Sequence, residues 1–280
     1  MAYWGLDETE GTIASDAGTY GIDGTLMNMD PPSWTTGILG GALGFDGTDD
    51  YVAVPHSELL DLANESFSVV LHARVESFRG GSSMYLIHKG TFSTDEGEGA
   101  NGSWFGIEMK NDELRFAVDD NASKSLAVIS GVESQISNNW THIAVVRDKV
   151  AGELNLYVDG VLSASTSDGT GSISQENDLR LGNNSKLDAP FSGLLDEVKL
   201  YNFALNETEV QEECLTSIES LSEPVLREFI LSQNYPNPFN PTTRIDFTCP
   251  KRSKETLEIY DISGKRVAIL VDDIKAAGSH

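Results

Sequence analysis

An antiparallel β sandwich of two sheets is the fold class this chain predicts, on three observations. Short alternating apolar and polar segments recur from the first residue to about Leu205, Gly, Asn, Asp and Ser separate them, and helical periodicity is almost missing. The strands expected on that pattern are 42–46, 51–54, 66–76, 85–89, 104–110, 113–119, 140–148, 153–158, 161–165 and 193–201. In the third of these, Phe67, Val69, Leu71, Ala73 and Val75 share one face, and Ser68, Val70, His72 and Arg74 share the other. One side therefore faces a core and the other is semi-polar. Asp159-Gly160 lies between two such runs and predicts a type I′ hairpin, which needs two positive-φ residues. Asn206-Glu-Thr-Glu209 has the spacing of a capping box and starts a short helix through about Leu215.

Composition narrows the function classes. The 280 residues hold 44 acidic and 19 basic side chains, a net charge of -25. Such a surface repels a phosphate backbone and an anionic membrane, so nucleic acid is not an expected partner. No run reaches the ~20 apolar residues of a membrane span. Cys214 and Cys249 fall in different predicted domains, so a disulfide framework is not expected. Met1 runs straight into a strand-like segment without a basic start or an apolar stretch, which reads as a fragment lacking its export leader.

Near the end, Tyr235-Pro-Asn-Pro-Phe-Asn-Pro241 fixes φ and removes backbone donors at Pro236, Pro238 and Pro241, which predicts an extended connector. The run from Leu231 to Phe247, with Leu257-Glu-Ile-Tyr-Asp-Ile-Ser-Gly-Lys-Arg-Val267, resembles the immunoglobulin-like sorting domain of the bacterial type IX secretion system. Only three strand signals follow the connector, against about seven in such a sandwich, so the tail reads as cut short. The expected organisation is a sandwich over 1–213, a linker over 214–230 and a partial sorting domain over 231–280.

A second resemblance covers the large domain. It rests on Tyr3-Trp-Gly-Leu-Asp-Glu-Thr-Glu-Gly-Thr12, Asp16-Ala-Gly-Thr-Tyr-Gly-Ile-Asp-Gly-Thr-Leu26, Gly41-Ala-Leu-Gly-Phe-Asp-Gly-Thr-Asp-Asp-Tyr-Val-Ala-Val54, Trp140-Thr-His-Ile-Ala-Val-Val-Arg147 and Gly193-Leu-Leu-Asp-Glu-Val-Lys-Leu-Tyr-Asn-Phe-Ala-Leu205. In this order they resemble the laminin-G-like, concanavalin A-like jelly-roll family. That family hosts lectins, adhesins and some glycosidases, so the fold alone does not select a function. The resemblance implies a structural calcium joining the N-terminal loop to the last strands, a role it carries onto Asp16, Asp46 and Asp196. Hard cations need six to eight oxygens, and turn-forming Asp with backbone carbonyls supplies them. The alternative is that Asp16 and Asp23 form Asx-turns and that Asp46 and Asp50 cap strand ends.

Catalysis is not expected. Glu108 and Asp112 bracket a hairpin turn and do not alternate along one strand, as paired glycosidase carboxylates would. His56, His72, His88 and His142 are scattered, without zinc spacing, and no nucleophile elbow or phosphate loop is present. Sugars stack on exposed rings, and Trp104 follows the long polar loop Thr91–Ser103, so Trp104 and Asp95 are the expected lining of a binding edge. Trp4 and Trp140 lie inside family core motifs and are expected to be buried, whereas Trp34 could be either. The sequence thus describes a secreted or cell-surface bacterial binding module. Its expected ligand is an extracellular glycan, its alternative role is a protein-contacting adhesion or spacer domain, and its tail addresses it to the type IX machinery.

Overall fold

The computed structural model describes residues 1–78, 80–92 and 101–222, and in the tail 230–231, 233–234, 243–245, 247–249, 253–261, 264–275 and 278–279. Residues 1–221 and 222–280 form two compact units. In the first, strands β1 (Ala2–Trp4), β2 (Ile13–Ala14), β3 (Gly24–Met27), β4 (Ser33–Thr36), β5 (Gly41–Asp46), β6 (Tyr51–Val54), β7 (Phe67–Val75) and β8 (Met84–Phe92) come before β9 (Gly102–Lys110). They are followed by β10 (Glu113–Asp120), β11 (Lys124–Ser130), a helical turn α1 (Glu133–Ile136), β12 (Thr141–Asp148), β13 (Glu153–Val158), β14 (Val161–Ser167), β15 (Leu179–Leu181), β16 (Ser192–Tyr201) and helix α2 (Glu207–Ser222).

The strands make two eight-stranded antiparallel sheets. Sheet A runs β14-β13-β12-β7-β16-β5-β4, with β1 on β16; sheet B runs β11-β10-β9-β8-β15-β6-β3-β2. This is the jelly-roll sandwich the alternation predicts. The alternate residues Phe67, Val69, Leu71, Ala73 and Val75 enter the central core with Phe105, Ile107, Phe116, Val118, Leu179 and Leu181 of the facing sheet. Each such side chain contributes about 1.5–3 kcal/mol by leaving water. The strands missed by sequence reading, β2, β3, β4, β11 and β15, include the two- to four-residue pieces whose pattern is too short to register.

Local chemistry sets the punctuation. Asp159 and Gly160 have φ of 49° and 74°, as a type I′ turn requires. The Asn206 side chain accepts from Glu209 N at 3.0 Å while Asn206 N donates to Glu209 Oε2 at 2.8 Å, which is the reciprocal capping box. α2 then continues to Ser222, so part of the stretch read as a linker is helical. Its Val210 packs with Leu205, Tyr201, Tyr157, Val146, Ala144 and Val70, covering the outer face of sheet A. One correction concerns a tryptophan: Trp140 is half-buried beneath the Arg74 guanidinium, 5.9 Å from the ring centroid, rather than in the core; Trp34, left open by the sequence, is also half-buried.

In the second unit the described residues form two small sheets, β17 (Ile230–Leu231), β18 (Phe247–Cys249) and β21 (Gly278–Ser279) in one, β19 (Ser253–Tyr260) and β20 (Arg266–Lys275) in the other. The proline connector lies outside the described residues.

Candidate functional site

Alternation along sheet B sends one set of side chains inward and the other to its outer face. Leu179 and Leu181 are core residues, so Arg180 points outward; the same reasoning puts Tyr51, His88, Trp104, Glu108, Ala117 and Asp119 on that face. There Tyr85, Phe92, Trp104, Ala117 and Ala189 form a separate apolar cluster, with Leu126 against it. Gly106 makes room for it: a Cβ there would fall 2.8 Å from the Tyr85 ring. His88 is wholly buried among these rings, 5.7 Å from Trp104 and stacked on it. Neither of its nitrogens has a hydrogen-bond partner, and its pKa is lowered to about 3 by burial, then by Arg180 and Lys89.

Beside this cluster opens a polar cavity of about 300 Å³ lined by Thr91, Glu176, Asn177, Asp178, Arg180 and Ser185. Its wall is pinned from below. Lys89 Nζ, on a residue only 4% exposed, donates to Asn177 O at 2.7 Å and Gln175 O at 3.3 Å. Burial lowers the Lys89 pKa. Arg180 Nη1 donates to Asn184 O at 2.7 Å, and Ser185 Oγ is buried without a partner. Cations stand over rings along this face: Lys124 over Trp104 at 4.9 Å, Arg180 over Tyr51 at 5.3 Å and Lys186 over Phe92 at 5.5 Å.

Trp104 is on this face but is not an exposed platform. It is 1% exposed, because Tyr85, His88, Phe92 and Lys124 cover its ring, and its Nε1 donates to Asn101 Oδ1 at 3.2 Å. Asp95 lies outside the described residues. Arg180, Thr91, Asn177 and Ser185 escaped sequence reading. The one available signal was Leu179-Arg-Leu181, which reads as a short strand with its arginine turned away from the core.

The carboxylates Asp16, Asp46 and Asp196 do not form one group. Asp16 accepts from Tyr3 N (2.8 Å) and Gly18 N (2.7 Å) through Oδ1 and from Ile22 N (2.9 Å) through Oδ2, so it ties the N-terminal loop by backbone bonds. Asp46 accepts from Thr48 N and groups with Asp49 and Asp50, their carboxylate oxygens lying within 4.8 Å of one another. Asp196 is wholly buried. Its Oδ2 accepts from Ile38 N at 2.8 Å and Leu39 N at 3.0 Å, while its Oδ1 has no partner. Burial, with Glu197 and Asp7 nearby, pushes its pKa up to about 7 despite those two bonds.

Glu108, Asp112 and Asp168 hold structure. Glu108 is 3.8 Å from Arg115, and Asp112 accepts from Glu133 N to cap α1, so the two face different partners. Arg147 and Asp168, both side chains fully buried, pair at 2.9 Å and bind Thr170.

The chain belongs to the concanavalin A-like lectin/glucanases superfamily: the family model Laminin_G_3 matches residues 46–211. No curated protein matches the sequence. Among solved structures, the binding domain of Paraclostridial Mosquitocidal Protein 1 is similar at 15% identity and TM-score 0.59, over 91% of this chain and 64% of that one. The botulinum neurotoxin serotype D ligand binding domain, solved with N-acetylneuraminic acid, is similar at 11% identity and TM-score 0.60, over 82% of this chain and 52% of that one. The type G receptor binding domain gives 15% identity and TM-score 0.57, over 77% and 51%. The chain therefore spans about two thirds or less of each of these structures, and the likeness is one of fold. All three are binding domains.

Proposed function

We propose that the chain is a secreted or cell-surface, non-catalytic module that binds an extracellular glycan on the outer face of sheet B. The observation that carries this reading is the cavity of about 300 Å³ beside the Tyr85, His88, Phe92 and Trp104 rings. Its lining mixes a guanidinium, hydroxyls, an amide and carboxylates, the donors and acceptors that recognise hydroxyl groups, on a wall held by Lys89. Trp104 packs in the ring cluster on the same face. That the fold relatives named above are binding domains supports the same class.

A structural calcium is part of the proposal. Asp196 fits a cation best, because a buried carboxylate oxygen without a partner is costly unless protonated or matched by positive charge. Asp7 and Glu197 add negative potential there. Asp46, with Asp49 and Asp50, fits a second, exposed cation, whereas the oxygens of Asp16 already accept backbone bonds. Bound there, calcium would supply charge neutralisation between the N-terminal loop and the last strand. The tail is proposed to address the protein to the type IX secretion machinery.

The test is a glycan-array screen of residues 1–221 in calcium and again in EDTA. Binding in calcium alone supports a cation-dependent lectin-like module. Silence in both overturns the glycan reading and leaves a protein-contacting or spacer domain.

A further inference from the structure

On a chain with 44 acidic and 19 basic residues, basic groups are expected to sit among carboxylates. The outer face of sheet B departs from that. Arg180 and Lys124 project there, and among the described residues neither makes an ion pair. Arg180 spends one nitrogen on the Asn184 carbonyl and lays its guanidinium over Tyr51. Lys124 lies over Trp104 and faces Asp119, whose carboxylate already accepts from Asn101 N at 2.9 Å and Asn121 N at 2.8 Å. Between them sits the buried His88, which Arg180 and Lys89 help to keep neutral. Among the described residues Arg180 is the one cation that lines the cavity, and the two carboxylates there, Glu176 and Asp178, are exposed.

From this juxtaposition, an unpaired guanidinium in a polar cavity beside an unpartnered Ser185 hydroxyl, we propose that the ligand is an acidic saccharide. Its carboxylate is taken by Arg180, and Lys124 supplies further positive potential along the face. This inference rests on the glycan-binding reading above. A guanidinium presents paired N–H donors that match a carboxylate in a way a neutral hydroxyl does not. The exposed acids point the same way as a filter: they repel an anion that is not seated on Arg180 and make binding dependent on the geometry of the ligand.

The experiment uses the full chain on an array carrying each saccharide in acidic and neutral form, uronic acid against hexose oligomers and sialylated against desialylated chains. The expected result is preference for the acidic member by roughly tenfold or more, the factor a charged hydrogen bond supplies. Arg180→Gln should remove most of that preference, with the melting temperature unchanged to show an intact fold. Lys124→Met should weaken binding less and reduce its salt dependence. Equal or better binding of the neutral members, or an acidic-to-neutral ratio unaltered by Arg180→Gln, overturns this inference and leaves the glycan reading standing. Silence on every saccharide overturns both.

Discussion

The outer faces of the two sheets are built from similar materials and put to opposite use. On sheet A the face bearing Val70, Ala144 and Tyr157 is closed by the chain's own α2, and the charged groups there find partners: Lys199 Nζ lies 2.9 Å from Glu213 Oε2, and Tyr201 donates to Glu213. On sheet B the rings are packed as tightly, but among the described residues Arg180 and Lys124 make no ion pair and a cavity remains. Apolar burial alone does not distinguish a structural face from a binding face. A covering helix on one and an open cavity on the other do, since buried nitrogens without a hydrogen-bond partner occur on both, His72 and His142 on sheet A and His88 on sheet B.

The largest expected effects test how far each face is structural. Trp104→Ala removes a ring that is 1% exposed and should cost about 3–5 kcal/mol in denaturant unfolding, so loss of ligand binding in that variant would report unfolding as much as recognition. Arg147→Met strands the buried Asp168 carboxylate and should cost a similar ~3–5 kcal/mol, with no effect specific to either face. Val210→Ala should cost about 2 kcal/mol by opening the α2 contact while leaving binding on sheet B unchanged. If Val210→Ala instead abolished binding at a temperature where the domain stays folded, the division of labour between the faces would fail.

A pH series sharpens the comparison on sheet A. Asp196 has a folded pKa of about 7 against an unfolded value near ~3.9, so between these the folded state holds more protons and stability falls as pH rises. His72 and His142, lowered to about 3 and about 4 mainly by burial, act in the opposite sense below pH ~6.5. Comparing Asp196→Asn with the unsubstituted chain cancels the histidines. In EDTA the variant should be more stable to denaturant at pH 8, by about a few kcal/mol, and the gap should close at pH 4. In calcium the order at pH 8 should reverse; a calcium-insensitive gap would remove Asp196 from the cation site. The smallest effect on stability is expected for Arg180→Gln, within about 0.5 kcal/mol, because its partly exposed side chain serves the ligand and not the core.

Much of the fold was legible because one rule governs it. Residues 67–75 alternate strictly, and burial of one set of their side chains forces the partner sheet into place. Asp159-Gly160 and Asn206…Glu209 are equally local, each requiring only its own backbone geometry. The site was less legible. Trp104 carries the right chemistry for a sugar platform, yet four neighbours contributed from other segments cover it. Arg180 looked unremarkable in a short Leu-Arg-Leu run, because its value lies in what surrounds it.

By itself the sequence determined the two-sheet class, the strand phases, the turns and the acidic surface, since each depends on residues near one another in the chain. Only the tertiary structure decided which tryptophans are wholly buried, which aspartate is left with an unpartnered oxygen and where Arg180 and Lys124 lie without an ion pair among the described residues. Those properties belong to contacts between Arg180 and Tyr51, Lys89 and Asn177, or Asp196 and Ile38, pairs separated by up to 158 residues. Burial and charge pairing are sums over such neighbours, and no local pattern encodes them.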